Sequence, residues 1–398
     1  MPFAVSKKKI IAGVAAAAFL GPFTQTVYTP ALVRLQDVFQ VNTFQINLTI
    51  SLFTAILAFS NFFIGPLADR WGRRAILLPG LLLFALGSLI CMLAPSYGYF
   101  LFGRLTQAAG ISTAVLVATI VIGDIYEPSE RAKAMNFYQT INFLGPVLGP
   151  VIGGLIAAHF YWQGIFGLLI AGAISAWLFN RRFLPETLPA DVKPLRFTAR
   201  TFGDVFTNRS GFSILLLAFS QFYGYYIFLV FLPQLLDALF RTPAAAQGFF
   251  FVPLTAGLMA GVRLGISWQR HWTRTRILNV GALGMAVTVL LFWIVLKLEL
   301  MTVPALIGLL LVYGVLLGCS IPVQSTILIN VFEQQRGTAV GIYNFSRFFG
   351  SALGPMVGGL IVLHYPIDVV FLTLGGMLLV AALVINRYLA DPYESRAS

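Results

Sequence analysis

Apolar and polar positions along the 398-residue chain fall into long apolar runs separated by short polar breaks. The runs lie at 10–32, 44–66, 75–94, 99–122, 134–158, 161–181, 211–236, 246–267, 276–297, 303–328, 339–363 and 367–388. Each is roughly twenty residues long, the length at which a helix crosses a ~30 Å hydrocarbon core. The runs do not alternate with period two, so they predict helices and not the strands of a membrane β-barrel. The expected fold is all-α, with twelve transmembrane helices.

One break is longer than the others. Residues 182–210 carry Arg182, Glu186, Asp191, Lys193, Arg196, Arg200, Asp204 and Arg209 together with Pro185, Pro189 and Pro194. They leave room for a short amphipathic helix but for no independent domain. The expected organisation is a six-helix bundle over 1–181, a cytoplasmic linker over 182–210 and a second six-helix bundle over 211–398.

The two halves repeat one another. A shift of 205 lays Arg131–Ile156 on Arg336–Ile361 with twelve identities in 26 positions, among them Tyr138/Tyr343, Gly145/Gly350, Gly149/Gly354, Pro150/Pro355, Gly153/Gly358 and Gly154/Gly359. Shared apolar composition would match Leu and Ile, but not glycines and a proline at fixed spacing. Duplication of a six-helix unit predicts pseudo-two-fold symmetry and a binding site between the copies near the bilayer midplane.

Composition agrees: 58% of residues are hydrophobic, 10% are charged and the mean hydropathy is +0.86, against about a quarter charged in a soluble domain. The net charge of +12 suggests nucleic acid until its placement is considered. With both termini cytoplasmic, 21 of the 26 Lys and Arg fall in inner segments or at their helix ends. Arg34, Arg241 and Lys297 fall in outer loops, and Arg104 and Arg347 lie inside spans. This asymmetry sets orientation, so the expected partner is the lipid bilayer and nucleic acid is not one. The basic start Lys7-Lys8-Lys9 resembles a signal peptide. The apolar run behind it is too long and lacks a clear cleavage site, so it reads as helix 1.

Little suggests chemistry. Cys91 and Cys319 lie in apolar spans without redox or metal-ligand spacing, and His159, His271 and His364 have no metal-ligand company. No Gly-x-x-x-x-Gly-Lys phosphate loop and no nucleophile–base pairing occurs, so no cofactor, no metal, no ATP-driven cycle and no enzyme activity is expected.

The polar break after the second run reads Gly65-Pro66-Leu67-Ala68-Asp69-Arg70-Trp71-Gly72-Arg73-Arg74. Its small residues allow a tight turn, and Asp69 among three arginines can form a charge-assisted network at the membrane edge. This stretch resembles the signature loop of the major facilitator superfamily. In the fifth run, Gly145-x-x-x-Gly149-Pro150-x-x-Gly153-Gly154 is similar to the antiporter motif of the superfamily's twelve-helix drug:proton antiporters. Physically it is a small-residue packing face with a proline that lets the helix bend, and ordinary packing explains part of it. In the fourth run, Arg104-Leu105-Thr106-Gln107-Ala108-Ala109-Gly110 resembles the family's Arg-x-x-Gln-Gly-x-Gly motif, with Ala108 where glycine is usual.

The resemblance implies that Arg104 takes part in proton coupling. Snorkelling to the outer interface is the alternative, since the residue lies about 9 Å from the helix start. It further implies an inner charge relay of Asp69, Arg73, Asp124 and Arg131, with Arg70 alongside. The alternative there is a solvated loop of independent charges. Relatives carry an acidic residue in helix 1, whereas this chain reads Thr24-Gln25-Thr26-Val27-Tyr28-Thr29-Pro30. No Asp or Glu falls at mid-depth of a span; the available carboxylates are Asp69 and Asp124 on the inner side and Asp237 on the outer, of which Asp124 is the expected proton carrier by elimination. The expected cavity residues are Gln25, Tyr28, Asn47, Gln139, Asn142, Gln221, Tyr225, Gln324, Asn344 and Arg347, each of which could instead tie helices together. The aromatic run Phe219–Phe231 is either a stacking wall or packed core.

The function implied is secondary active export of small organic compounds, in the manner of the bicyclomycin and chloramphenicol exporters. Export would run by proton antiport with rocker-switch alternating access, from a monomer in the inner (cytoplasmic) membrane of a bacterium. Two interior cations and no deep anion favour a rival within transporters, the export of an anionic metabolite or siderophore. A non-transporting membrane sensor is the alternative of another class.

Overall fold

The computed structural model describes residues 6–188, 203, 205–332 and 336–392. Helices account for nearly all of them. Those of eight residues or more are, in chain order, α1 (Lys7–Thr26), α2 (Leu32–Phe39), α3 (Thr43–Trp71), α4 (Arg73–Met92), α5 (Tyr97–Ile125), α6 (Pro128–His159) and α7 (Gln163–Phe183). There follow α8 (Arg209–Phe240), α9 (Val252–Trp268), α10 (Arg274–Lys297), α11 (Val303–Val331), α12 (Arg336–His364) and α13 (Asp368–Tyr388). Twelve segments among the described residues are long and apolar enough to cross a membrane.

Short polar breaks start these helices by capping them. Asn42 accepts from the backbone N–H of Gln45 at 2.9 Å while the Gln45 side chain accepts from the Asn42 N–H at 3.1 Å, a reciprocal capping box. Asn208, Thr273 and Thr302 likewise accept from Gly211, Arg276 and Ala305 at the starts of α8, α10 and α11.

The structure corrects three expectations. The first run is not one helix: α1 ends at Thr26 and a 3-10 turn, Thr29–Ala31, carries Pro30 before α2 begins. Arg34 accordingly sits on α2 instead of in a loop. The expected loop over 65–74 is almost entirely helical, because α3 runs to Trp71 and α4 starts at Arg73. The reversal is made at Gly72 alone, whose φ of 98° is open to a residue without Cβ. Of the expected linker, residues 189–202 and 204 lie outside the described residues.

By its contacts the chain forms two compact units. One comprises Met1–Arg196 with Thr242–Phe249 and the other Phe197–Arg241 with Phe250–Ser398. Within the first, α1 packs on α5, α6 and α7, α4 on α5 and α7, and α3 on α5. Within the second, α8 packs on α12 and α13, α9 and α10 on α11, and α10 on α13. Under the 205-residue shift the pairs α1–α6, α3–α5, α4–α5 and α4–α7 become α8–α12, α9–α11, α10–α11 and α10–α13. Sequence duplication is thus a duplication of packing. The run Phe219–Phe231 is core: Phe228 meets Phe292, Tyr313 and Phe371 at ring-centroid distances of 5.2, 5.0 and 5.4 Å.

Candidate functional site

Gly72 brings the start of α4 against the end of α3, and with it a basic residue against an acidic one. Arg73 Nη1 donates to Asp69 Oδ1 at 2.8 Å and to the Ala68 carbonyl at 2.8 Å, while Nε donates to Asp124 Oδ2 on α5 at 2.9 Å. The Arg73 side chain is 3% exposed and that of Asp124 12%. The solvated-loop alternative therefore fails, and the pairing sits in surroundings where charge-assisted bonds are strong. Arg70 is exposed, and the side chain of Arg131 lies outside the described residues.

Two further members were assigned to the linker by sequence. Glu186, three residues past α7, folds back onto the first turn of α4. It accepts from the N–H of Arg73 at 2.8 Å and of Arg74 at 3.2 Å. A carboxylate there satisfies orphan N–H groups and the positive end of the helix dipole. Thr187 donates its hydroxyl to Asp124 Oδ2 at 3.1 Å. Beside this clamp, Lys7 approaches Glu130 at 3.6 Å and the Tyr126 ring at 5.3 Å. Burial, then the Glu130 carboxylate, pushes the Tyr126 phenol up from its ordinary value. Lys7 and Glu130 are largely exposed and their pairing is peripheral.

The second unit holds a counterpart. Asp391, three residues past α13, has a fully buried side chain and accepts from Arg274 Nη1 at 2.7 Å, at the first residue of α10. It also accepts from Asn330 near the end of α11 at 3.4 Å. The shift of 205 that pairs Arg131 with Arg336 pairs Glu186 with Asp391. That register, carried past the glycine motif, was the available sequence signal for both carboxylates.

Arg104 is fully buried, so it does not snorkel. Its guanidinium lies 4.3 Å from the ring centroid of Tyr28 and 4.3 Å from that of Phe53, a double cation–π contact. Nη1 donates to Gln107 Oε1 at 2.8 Å, and Gln107 in turn donates to Ser88 Oγ at 2.7 Å. Tyr28 is held by Thr49 at 3.0 Å. Nε and Nη2 have no hydrogen-bond partner, and among the described residues no carboxylate lies within ion-pair distance of Arg104.

The antiporter-like face of α6 packs directly on α1. Thr26 donates to the Gly145 carbonyl at 3.2 Å. A methyl group at Gly145 would meet the backbone N of Phe23 at 2.8 Å, at Gly149 the Thr26 side chain, and at Gly153 the Val27 carbonyl. Pro150 and Gly154 are buried as well. In the second unit Gly350 and Gly354 face the carbonyls of Phe219 and Tyr223 on α8.

The expected cavity residues separate. Gln221 donates to Ser320 at 2.7 Å and accepts from Gln324 at 2.8 Å, all fully buried or nearly so. Together they tie α8 to α11, which is the interhelical alternative. Gln25, Tyr28, Asn47 and Tyr225 are buried, Asn142, Asn344 and Arg347 are half-buried, and Gln139 is exposed. Asn180, missed in sequence, donates to the Gly13 carbonyl at 3.0 Å and ties α7 to α1. Cys91 and Cys319 are free and buried.

The family model of the Major Facilitator Superfamily matches residues 14–298 and 265–398. Among curated proteins, one named Probable transporter AQR1 from Saccharomyces cerevisiae is 34% identical over 179 residues, 44% of this chain and 30% of that protein. Multidrug resistance protein MdtL of Escherichia coli is 32% identical over 164 residues, 41% of this chain and 42% of that one. The chain thus spans 30% and 42% of the length of these relatives. A crystal structure of a D-xylose-proton symporter superposes with a TM-score of 0.81 at 17% identity, covering 96% of this chain and 98% of that one. At that identity the likeness is one of fold.

Proposed function

Because the chain belongs to the major facilitator superfamily, and so is a multi-pass membrane transporter rather than an enzyme, we propose that it exports small organic compounds, drugs or toxic metabolites, by proton antiport. The observation that carries the direction is the seam of Gly145, Gly149 and Gly153 on α1, where the antiporter motif is expected. The names of the curated relatives support the substrate class. In this reading the protein works as a monomer in the cytoplasmic membrane, with both termini inside and the halves 1–181 and 211–398 rocking about the linker.

In this reading the Asp69–Arg73–Asp124 network latches the cytoplasmic side, with Arg70 and Arg131 as the further members that the resemblance implies. Arg104 takes part in proton coupling, and Asp124 carries the proton. An Asp124→Asn variant that kept full pH-gradient-driven transport would remove Asp124 from that role. Substrate-induced proton movement in proteoliposomes, screened over cationic drugs, neutral antibiotics and carboxylate metabolites, tests the whole. Proton-coupled flux of a cationic or neutral drug supports the reading, and its absence for every compound ends it. A second reading, export of an anionic metabolite or siderophore, is favoured by one observation: neither Arg104 nor Arg347 lies within ion-pair distance of a carboxylate among the described residues.

A further inference from the structure

Arg347 sits eleven residues into α12, in a span, and its surroundings within the second unit are aromatic and amide. Its guanidinium lies 4.0 Å from the ring centroid of Phe222 on α8 and 5.5 Å from that of Tyr343. Its hydrogen bond among the described residues is a long one, from Nη1 to Asn344 Oδ1 at 3.5 Å. Nε is buried without a partner.

Ring contacts occupy the face of a guanidinium, whereas its N–H donors radiate in the plane. Phe222 therefore steadies the cation without using the donors that would satisfy it. Nη1 is turned to Asn344, and Nε, which shares the opposite edge with Nη2, is buried with no hydrogen-bond partner. Those two N–H groups run parallel at the spacing of a carboxylate's two oxygens. A cation in a membrane span without a counter-charge marks a functional site by default.

The described carboxylates of this unit are committed or distant. Asp391 is held by Arg274 and Asn330, and Asp368 by Lys297 at 3.6 Å and Trp293 at 3.2 Å. Asp237 stands fifteen residues along α8 from Phe222, about 22 Å at 1.5 Å per residue. Glu299 lies past the last residue of α10. Arg104 leaves the same edge unbonded, but it is fully buried between two rings, whereas Arg347 is half-buried.

We infer that the Nε–Nη2 edge of Arg347, walled by Phe222 and Tyr343, binds the carboxylate of an organic acid with an apolar body. The acid is the transported solute or part of it. The inference rests on the chain moving organic solutes, and it makes the anionic reading specific to one side chain.

Equilibrium binding of radiolabelled 1-naphthoate to the purified full-length protein at pH 7.5 tests it, with 1-naphthamide as an uncharged competitor of the same shape. Saturable binding is expected, with the amide competing at least tenfold more weakly than unlabelled acid. Arg347→Lys, which keeps the charge and loses the fork, should weaken binding tenfold or more, and Arg347→Gln further. Absence of saturable binding, equal competition by the amide, or unchanged affinity in Arg347→Lys overturns the site. The comparison of acid with amide uses wild-type protein, so it stands even where a variant fails to fold. Flux in proteoliposomes is scored separately: naphthoate bound with no compound transported would refute the exporter and leave the site.

Discussion

The carboxylate of Glu186 accepts the backbone N–H of Arg73 at 2.8 Å across 113 residues of chain. It does so because Gly72 reverses the backbone with its side-chain direction filled by that same carboxylate. Glu186 thus caps α4 from outside the helix. Glu186→Gln keeps one acceptor oxygen and loses the charge at the helix N-terminus, which should cost about 1 kcal/mol. Gly72→Ala should cost more, since it meets both the positive φ and the carboxylate. Thermal unfolding of the two variants in detergent checks the order, and equal melting temperatures for wild type and both variants would contradict it.

Arg73 and Asp124 should behave as one energetic unit. Both are nearly excluded from solvent; Arg73→Ala leaves Asp124 with the Thr187 hydroxyl and no cation, and Asp124→Ala leaves Arg73 with Asp69 and the Ala68 carbonyl. In a double-mutant cycle, Arg73→Ala and Asp124→Ala should couple by about 1 kcal/mol or more in stability. Additive effects would mean that the pairing contributes nothing beyond its members.

In the second unit the asymmetry between partners is the prediction. Asp391 is fully buried and Arg274 is 29% exposed. Losing Arg274 therefore leaves a buried carboxylate behind, whereas Asp391→Asn leaves a polar group that still bonds. Arg274→Ala should destabilise by about 2 kcal/mol more than Asp391→Asn. Unfolding midpoints in denaturant decide, and the reverse order would refute the argument.

The small-residue seams admit a direct control. Gly153→Ala drives a methyl into the Val27 carbonyl and Gly350→Ala into that of Phe219, whereas Gly98 and Gly376 have open space around the same position. The first two substitutions should each cost about 1–3 kcal/mol and lower folded yield. Gly98→Ala and Gly376→Ala should leave yield unchanged on size-exclusion of the solubilised protein. Equal yields across all four would show that the seams relax.

Much of this was legible in the chain, for physical reasons. Run length reports bilayer thickness, so the twelve spans could be read, and glycine spacing reports helix approach, so the faces of α6 and α12 could be read. Asp69, Arg73 and Asp124 lie together, while Arg131, the fourth member of the implied relay, has its side chain outside the described residues. What the sequence hid were long-range partners without local pattern. Glu186 looked like one charge in a polar stretch, and nothing near it in the chain points 113 residues back. Tyr28 and Phe53 looked like any aromatic residues of an apolar run until folding placed them on either face of Arg104. The amides Gln221 and Gln324 could be read either as solute contacts or as ties between helices, and they bind one another.

The cage around Arg104 has a consequence that concerns voltage. Arg104 places a cation inside a span. Its two aromatic walls and Gln107 bind the cation to its helix bundle, so bundle and charge move together. One elementary charge carried across 100 mV is worth about 2.3 kcal/mol. Any displacement of α5 along the membrane normal then does electrical work in proportion to the share of the field that Arg104 crosses. Were α5 to shift in that field, the membrane potential would bias the bundle at this residue before any solute arrives.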